Sequence, residues 1–183
     1  DDGGLQSQQV VFKLLELAED ATFRAHSVEP AREIGSLAFV DGVRRSECWL
    51  WVDLPGSGGG ARGLAGAFGV GCVRVEPGRR PEFGEHRIDR LLIWGSGVEA
   101  EEHSLPEVPG GWRWQSVAIS AHEPDAPLHE LQRRMRIAEA ELAHQLGASQ
   151  IVTILDGTLA LVTAPDAPIV GYVKTHHRAL LAP

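Results

Sequence analysis

The stretch PLHELQRRMRIAEAELAHQL, residues 127–146, constrains the fold more than any other. Leu131, Met135, Ala138, Leu142 and Leu146 recur at steps of four, three, four and four, which lays one apolar stripe along a helix. Gly147 follows as the expected C-cap. The run 150–155 comes next and is apolar almost throughout, the pattern of a short strand buried on both faces, central in its sheet and parallel to a neighbour. A helix that leads into a buried strand implies a crossover, so an earlier strand has to lie beside 150–155.

The earlier strands come in succession. Ser36–Asp41 (SLAFVD) is the first and Glu47–Leu54 (ECWLWVDL) the second, expected to form a hairpin through Gly42–Ser46. Residues 55–63, PGSGGGARG, read as a flexible connection; they lack the Gly-Lys-Ser/Thr ending that would grip phosphate. Ala65–Val75 is a third strand loosened by glycines, Arg87–Trp94 a fourth, 95–111 a loop, Trp112–Ile119 a further strand and Ile169–Lys174 the last. Ahead of them, residues 9–26 set Val10, Leu14, Leu17, Ala18 and Ala21 on one side of an amphipathic helix, and Glu29–Ile34 is a linker. The expected organisation is a helix and linker over 1–35 and one domain over 36–183. Its class is α/β: a mixed sheet with an antiparallel edge, a parallel centre and flanking helices, the ribonuclease-H-like architecture.

At 183 residues the chain can bury a real core, and 43% hydrophobic with 23% charged residues marks it as globular. The net charge of −8 argues against a general coat for nucleic acid but leaves room for a local basic groove. Basic residues do cluster, at Arg79–Arg80, at Arg133, Arg134 and Arg136, and around Lys174 and Arg178. Each cluster is either a solvated face or part of such a groove. Cys48 and Cys72 have no metal-binding spacing and read as small apolar fillers of strands, which fits a reducing compartment. The start, DDGGLQSQQ, has no signal-peptide pattern, and no uncharged apolar run approaches the roughly 18 residues of a membrane span. A cytoplasmic protein with no membrane attachment is expected.

Two apolar strands end in Asp-Gly: AFVDG at 38–42 and TILDG at 153–157. Either pair alone is a turn signal. If the two strands are parallel neighbours, about 4.8 Å apart, Asp41 and Asp156 face each other across the gap. Two close carboxylates repel, and a divalent cation with oxygen ligands relieves them. The helix between them offers Glu139 and Glu141. At about 100° per residue, Glu139 lies nearer the apolar stripe and is better placed to reach over the sheet. The alternative for Glu139 is a boundary position supported by Arg136 or Arg134. If both Asp-Gly pairs are only turns, Asp41 and Asp156 have no reason to be close.

The motifs FVDGVRR, MRIAEAELA, ILDGTLA and IVGYVKTHHRALL, in that order across about residues 36–180, resemble the NurA family of nucleases. The resemblance implies a ribonuclease-H-like core and a manganese-dependent 5′-to-3′ exonuclease and single-strand endonuclease acting on DNA. It implies manganese or magnesium, two ions, held by Asp41, Glu139 (or, less well placed, Glu141) and Asp156, with Lys174 facing a phosphate. It also implies a homodimer that works with a HerA-type hexameric ATPase in DNA end processing. The family's late tyrosine and histidine motif has no counterpart up to Pro183. Tyr172, the one tyrosine, and His176 and His177 lie too close to Asp156 to match it. The same motifs on an inactive module would leave only binding to a partner ATPase or subunit.

Other candidates are weaker. His176 and His177 are adjacent and do not share a helix face, so they make a poor zinc pair. Trp49 and Trp51 fall on one strand face, as do Trp112 and Trp114; they suit a core, a partner surface or base stacking.

Overall fold

The computed structural model describes residues 27, 35–54, 59–99, 103–104, 113–163 and 166–174. The chain divides into two units, Asp1–Glu33 and Ile34–Pro183, and every strand and helix named below belongs to the second. The expected helix at 9–26, Trp112 and the pair His176–His177 lie outside the described residues.

Among the described residues seven strands and one helix follow in the order β1 (Leu37–Asp53), β2 (Gly60–Val75), β3 (Glu82–Trp94), β4 (His103–Ser104), β5 (Arg113–Ala118), α1 (Ala126–Ala148), β6 (Val152–Asp156) and β7 (Ile169–Tyr172). They form a mixed sheet in the order β4-β5-β3-β2-β1-β6-β7. The first three are an antiparallel meander, and β6 pairs with β1 in parallel, Leu37 opposite Val152 through Val40 opposite Leu155. β7 adds in parallel on the far side of β6. The chain is therefore α/β, and the crossover through α1 returns beside the first strand.

The expected hairpin at Gly42–Ser46 does not exist. β1 runs unbroken through both predicted strands and pairs with β2 from Leu37 opposite Val75 to Asp53 opposite Gly60. Val43, Arg44 and Arg45 offer no residue that readily takes the positive φ of a tight turn, so the chain continues in the extended form. The connection is the stretch between Asp53 and Gly60, where Leu54 N–H donates to the Gly59 carbonyl at 2.9 Å. One irregularity interrupts the ladder: between Ser46 and Cys48 the register shifts, leaving Glu47 as an extra residue on β1.

α1 lies on one face of the sheet. Its stripe, Leu131, Met135, Ala138, Leu142 and Leu146, is buried against Ala38 and Val40 of β1, Leu64, Phe68 and Val70 of β2, Leu91 and Ile93 of β3, and Leu155 of β6. The helix comes close at Gly66, where an added Cβ would meet Leu131 Cδ2 at 2.7 Å. Gly147 is not the cap. It sits inside the helix, where an added Cβ would meet Ala167 Cβ at 3.0 Å, and the helix ends at Ser149 and Gln150, the latter at φ 59°. Close packing against Ala167 and Ile169, not termination, is the reason for a glycine there.

β6 departs from the expected fully buried strand. Thr153 and Leu155 are buried under α1, while Val152, Ile154 and Asp156 on the other face are only half-buried. Cys72 is buried in the core as expected, but Cys48 is exposed; both are free thiols. Among the described residues no helix is long and apolar enough to cross a membrane.

Leu131 is fully buried where α1 packs on Gly66. Leu131→Ala should lower unfolding free energy by about 2–5 kcal/mol, read as a shift of the urea midpoint at constant slope.

Candidate functional site

Val40 and Leu155 are the last register partners of β1 and β6, so Asp41 and Asp156 are the next residue on each of two adjacent parallel strands. Side chains alternate along a strand. Val40 and Leu155 turn toward α1, which puts both aspartates on the opposite, open face. The register extends the row on that face: Gly71 is opposite Asp41, His86 opposite Gly71, and Tyr172 opposite Asp156. One line, His86–Gly71–Asp41–Asp156–Tyr172, thus crosses five strands. The far-apart placement expected of two unrelated turns is not what the chain adopts.

The two Asp-Gly pairs serve different geometries. Asp41 and Gly42 are in mid-strand, paired with Gly71 and Val70. Gly42 is needed for space: an added Cβ would lie 2.5 Å from Glu139 Oε1 and 2.9 Å from Met135 Cγ. Glu139 therefore rests its carboxylate directly on the β1 backbone. Gly157 ends β6 at φ 100°, a conformation glycine accepts without strain. Its missing Cβ also leaves room for Arg136 Nη1, which would be 2.9 Å away.

The acids are linked through backbone and bases. The Gly42 N–H donates to Asp41 Oδ1 at 2.9 Å and also acts on the Glu139 carboxylate. Pairing with β6 stops at Val40, and Asp41 and Glu139, from opposite faces of β1, reach the same amide. Arg136 Nη1 donates to the Asp156 carbonyl at 2.9 Å and lies 3.5 Å from Glu139 Oε2. Lys174 Nζ is 3.0 Å from Asp156 Oδ2. That hydrogen bond holds the Lys174 ammonium above its ordinary pKa. Glu139 is only 2% exposed, and burial pushes its carboxyl above the ordinary range. Arg136 opposes that rise, Asp41 and Asp156 add to it, and the Gly42 amide pulls it back.

The structure thus brings Asp41, Glu139, Asp156 and Lys174 into one neighbourhood. Glu141 is elsewhere, exposed and 3.2 Å from Arg87. The basic clusters are spent largely on acids of the chain. Arg79 pairs with Glu76, and Arg133 and Arg134 both hold Glu130, the nearer bond at 2.6 Å. These partners keep the Glu130 carboxyl below its ordinary range. Three features of the site have no motif in the sequence: Arg136 as the tie to the end of β6, and His86 and Gly71 in line with Asp41. Only strand register reveals them.

Asp41, Glu139 and Asp156 are oxygen donors of the kind that suit magnesium or manganese, and a buried carboxylate held by a 3.5 Å ion pair and a shared amide favours a cation. As the side chains stand, no group of three or more His, Cys, Asp or Glu among the described residues closes around one point. Asp156 is drawn to Lys174 and Glu139 to Arg136, so cation binding calls for a shift of these ion pairs. Comparison with known protein families finds no matching family model, and no curated protein matches the chain.

Gly42→Ala should cost about 1–3 kcal/mol through contact with Glu139 and Met135. A double-mutant cycle with Glu139→Ala should recover part of that loss, since the two residues touch. Because the folded pKa of Glu139 is raised, its stabilising contribution belongs to the protonated form. That contribution is complete below the ordinary carboxylate range and is lost as pH rises through the folded pKa. In chelator, Glu139→Gln should therefore melt higher than wild type at neutral pH, with the difference shrinking toward acid pH. A constant difference across pH would show that the carboxylate charge does not matter.

Proposed function

We propose that this chain is a metal-dependent DNA nuclease with a ribonuclease-H-like core. The observation that carries the reading is the placement of Asp41 and Asp156 as consecutive positions on two parallel neighbours, with Glu139 pressed on the backbone of Gly42 beside them. The sheet order, a meander followed by a crossover that returns beside β1, supports the same core.

In this reading Asp41, Glu139 and Asp156 hold the divalent cations, manganese or magnesium. Bound there, such ions would make water a nucleophile near neutral pH and stabilise charge on the leaving oxygen. The chain's own groups prepare the site. Gly42 admits Glu139 and offers its N–H to two of the acids. Arg136 fixes the end of β6 through the Asp156 carbonyl. Lys174, once released from Asp156, has the reach and charge to hold a phosphate. The substrate DNA, the 5′-to-3′ and single-strand activities, the homodimer and the HerA-type ATPase rest on the resemblance of the four motifs.

A second reading is favoured by one observation: Asp156 and Glu139 already have basic partners at 3.0 and 3.5 Å. An inactive module whose role is to bind a partner ATPase or subunit needs no cation to neutralise them.

End-labelled single- and double-stranded DNA incubated with manganese, magnesium or chelator separates the two. The nuclease reading expects manganese- or magnesium-dependent cutting, reduced at least a hundredfold by Asp41→Asn or Asp156→Asn with the fold retained. Mutants that cut at the wild-type rate would remove these residues from the site. No cutting in any lane, with the ATPase also supplied, would leave the binding module.

A further inference from the structure

The strand register cuts a trough into the face of the sheet away from α1. Its floor is β2, where Gly69 and Gly71 carry no side chains. A Cβ at Gly69 would find nothing nearer than 3.8 Å, while one at Gly71 would meet Phe83 Cζ at 3.0 Å. One wall is β1, with Phe39, Asp41 and Val43 opposite Val73, Gly71 and Gly69. The other is β3, with Phe83, His86 and Ile88 opposite the same three residues of β2. The walls stand two strand spacings apart, roughly 10 Å. The trough between them holds about 370 Å³, within the range of sites for small organic groups, roughly 300–1,000 Å³.

The chemistry of the walls selects the ligand. Phe39, Val43, Phe83 and Ile88 are apolar and exposed, Phe83 by 70%, so they favour an apolar body. The Phe83 and His86 rings, 5.2 Å apart, make one wall aromatic. At mid-length the two polar side chains are both acceptors. The Asp41 carboxylate takes only the Gly42 N–H, at 2.9 Å; among the described residues no base pairs with it, since Lys174 is bonded to Asp156. Across the glycine floor, His86 Nδ1 lies 3.4 Å from the Gly84 carbonyl, which draws the ring proton to Nδ1 and leaves Nε2 to accept. Arg87 turns instead to the α1 side and is held by Asp89 and Glu141. An anion entering the trough would meet acceptors alone. A neutral hydrocarbon would cover the charge of Asp41 without matching it. A hydrated divalent cation can take Asp41 but gains nothing from the apolar walls. A protonated amine with a ring or short chain answers both features: it brings N–H donors for Asp41 and His86, and a body for walls whose aromatic side also favours a cation.

We propose that this trough binds a small organic ammonium ion, an amine with an aryl or short alkyl body, with its charged nitrogen on Asp41. The site does not depend on the nuclease reading. An amine held there and a divalent cation would contend for the same carboxylate.

The test is a ligand-observed NMR titration of the whole chain in chelator, with phenethylammonium as the probe. Phenethyl alcohol and phenylacetate are its neutral and anionic analogues, and methylammonium carries the charge without the body. Phenethylammonium should bind saturably and at least tenfold more tightly than each of the others. Asp41→Asn should bring its affinity down to that of the alcohol. Gly69→Leu, which fills the floor where a side chain has room, should weaken it at least tenfold. Phe83→Ala, which removes an exposed wall without touching the core, should weaken it in the same direction and decides the matter if Gly69→Leu does not fold. Equal affinity for the ammonium ion and the alcohol overturns the proposal. So does binding that Asp41→Asn and Phe83→Ala leave unchanged, or the lack of saturable binding at millimolar probe. A dimer that Gly69→Leu dissociates, with no amine bound by wild type, would make the trough a contact between copies and overturn it as well. The titration needs neither cation nor DNA, so its failure and the failure of the cleavage assay are separate results.

Discussion

Everything at the candidate site depends on how closely α1 settles on the first two strands. Two missing side chains permit it. Gly66 lies under Leu131, and Gly42 under Met135 and Glu139. A helix resting on ordinary strand residues would stand farther off, and its glutamate would end in the space above the sheet. In this fold the carboxylate meets main chain, is buried, and shares an amide with Asp41. A charge so placed is costly unless something compensates it. Arg136 does so in part, and the same guanidinium secures the end of β6. Packing, burial and charge at the site are therefore one arrangement.

Much of this was legible in the sequence. The stripe from Leu131 to Leu146 specified the buried face of α1, and the apolar run after it specified a strand returning to the first. Periodicity states such things directly, because burial and repeat are the same fact. The break expected at Gly42–Ser46 failed for a physical reason. Asp-Gly at 41–42 has turn composition, yet the glycine answers to a residue almost a hundred positions away. Gly147 misled in the same manner: it resembles a cap and is a contact with Ala167 and Ile169. A single sequence does not distinguish a glycine needed for its φ from one needed for its size. The alignment of His86, Gly71 and Asp41 was hidden as well, since it depends on the bulge between β2 and β3 that sets their register.

The charge of the chain takes on a different meaning in the fold. At −8 overall, its acids outnumber its bases, and several prominent bases are matched locally. Arg133 and Arg134 share Glu130, Arg87 spans Asp89 and Glu141, and Arg74 holds Glu85. The open face is instead apolar around an acidic line, with Lys174 at its side. Attraction of a polyanion by a broad positive field is not the physics of this surface.

The extra residue at Glu47 carries a last consequence. Before it, the odd-numbered residues of β1 face away from α1; after it, register places Trp49 opposite Leu64 and Trp51 opposite Arg62, on the helix side. There the Arg62 guanidinium lies 3.7 Å over the Trp49 ring. The single long strand is thus two ribbons of opposite phase joined at one residue. Were Glu47 to take a place in the ladder opposite Ala65, every residue beyond it would move one partner along. The tryptophans would then turn to the side of Asp41, and the inner pairs would stay as they are. The outer ribbon can change phase, length or composition without altering the register that seats Asp41 beside Asp156. A chain built this way can acquire a new outer surface while its acidic centre keeps its geometry.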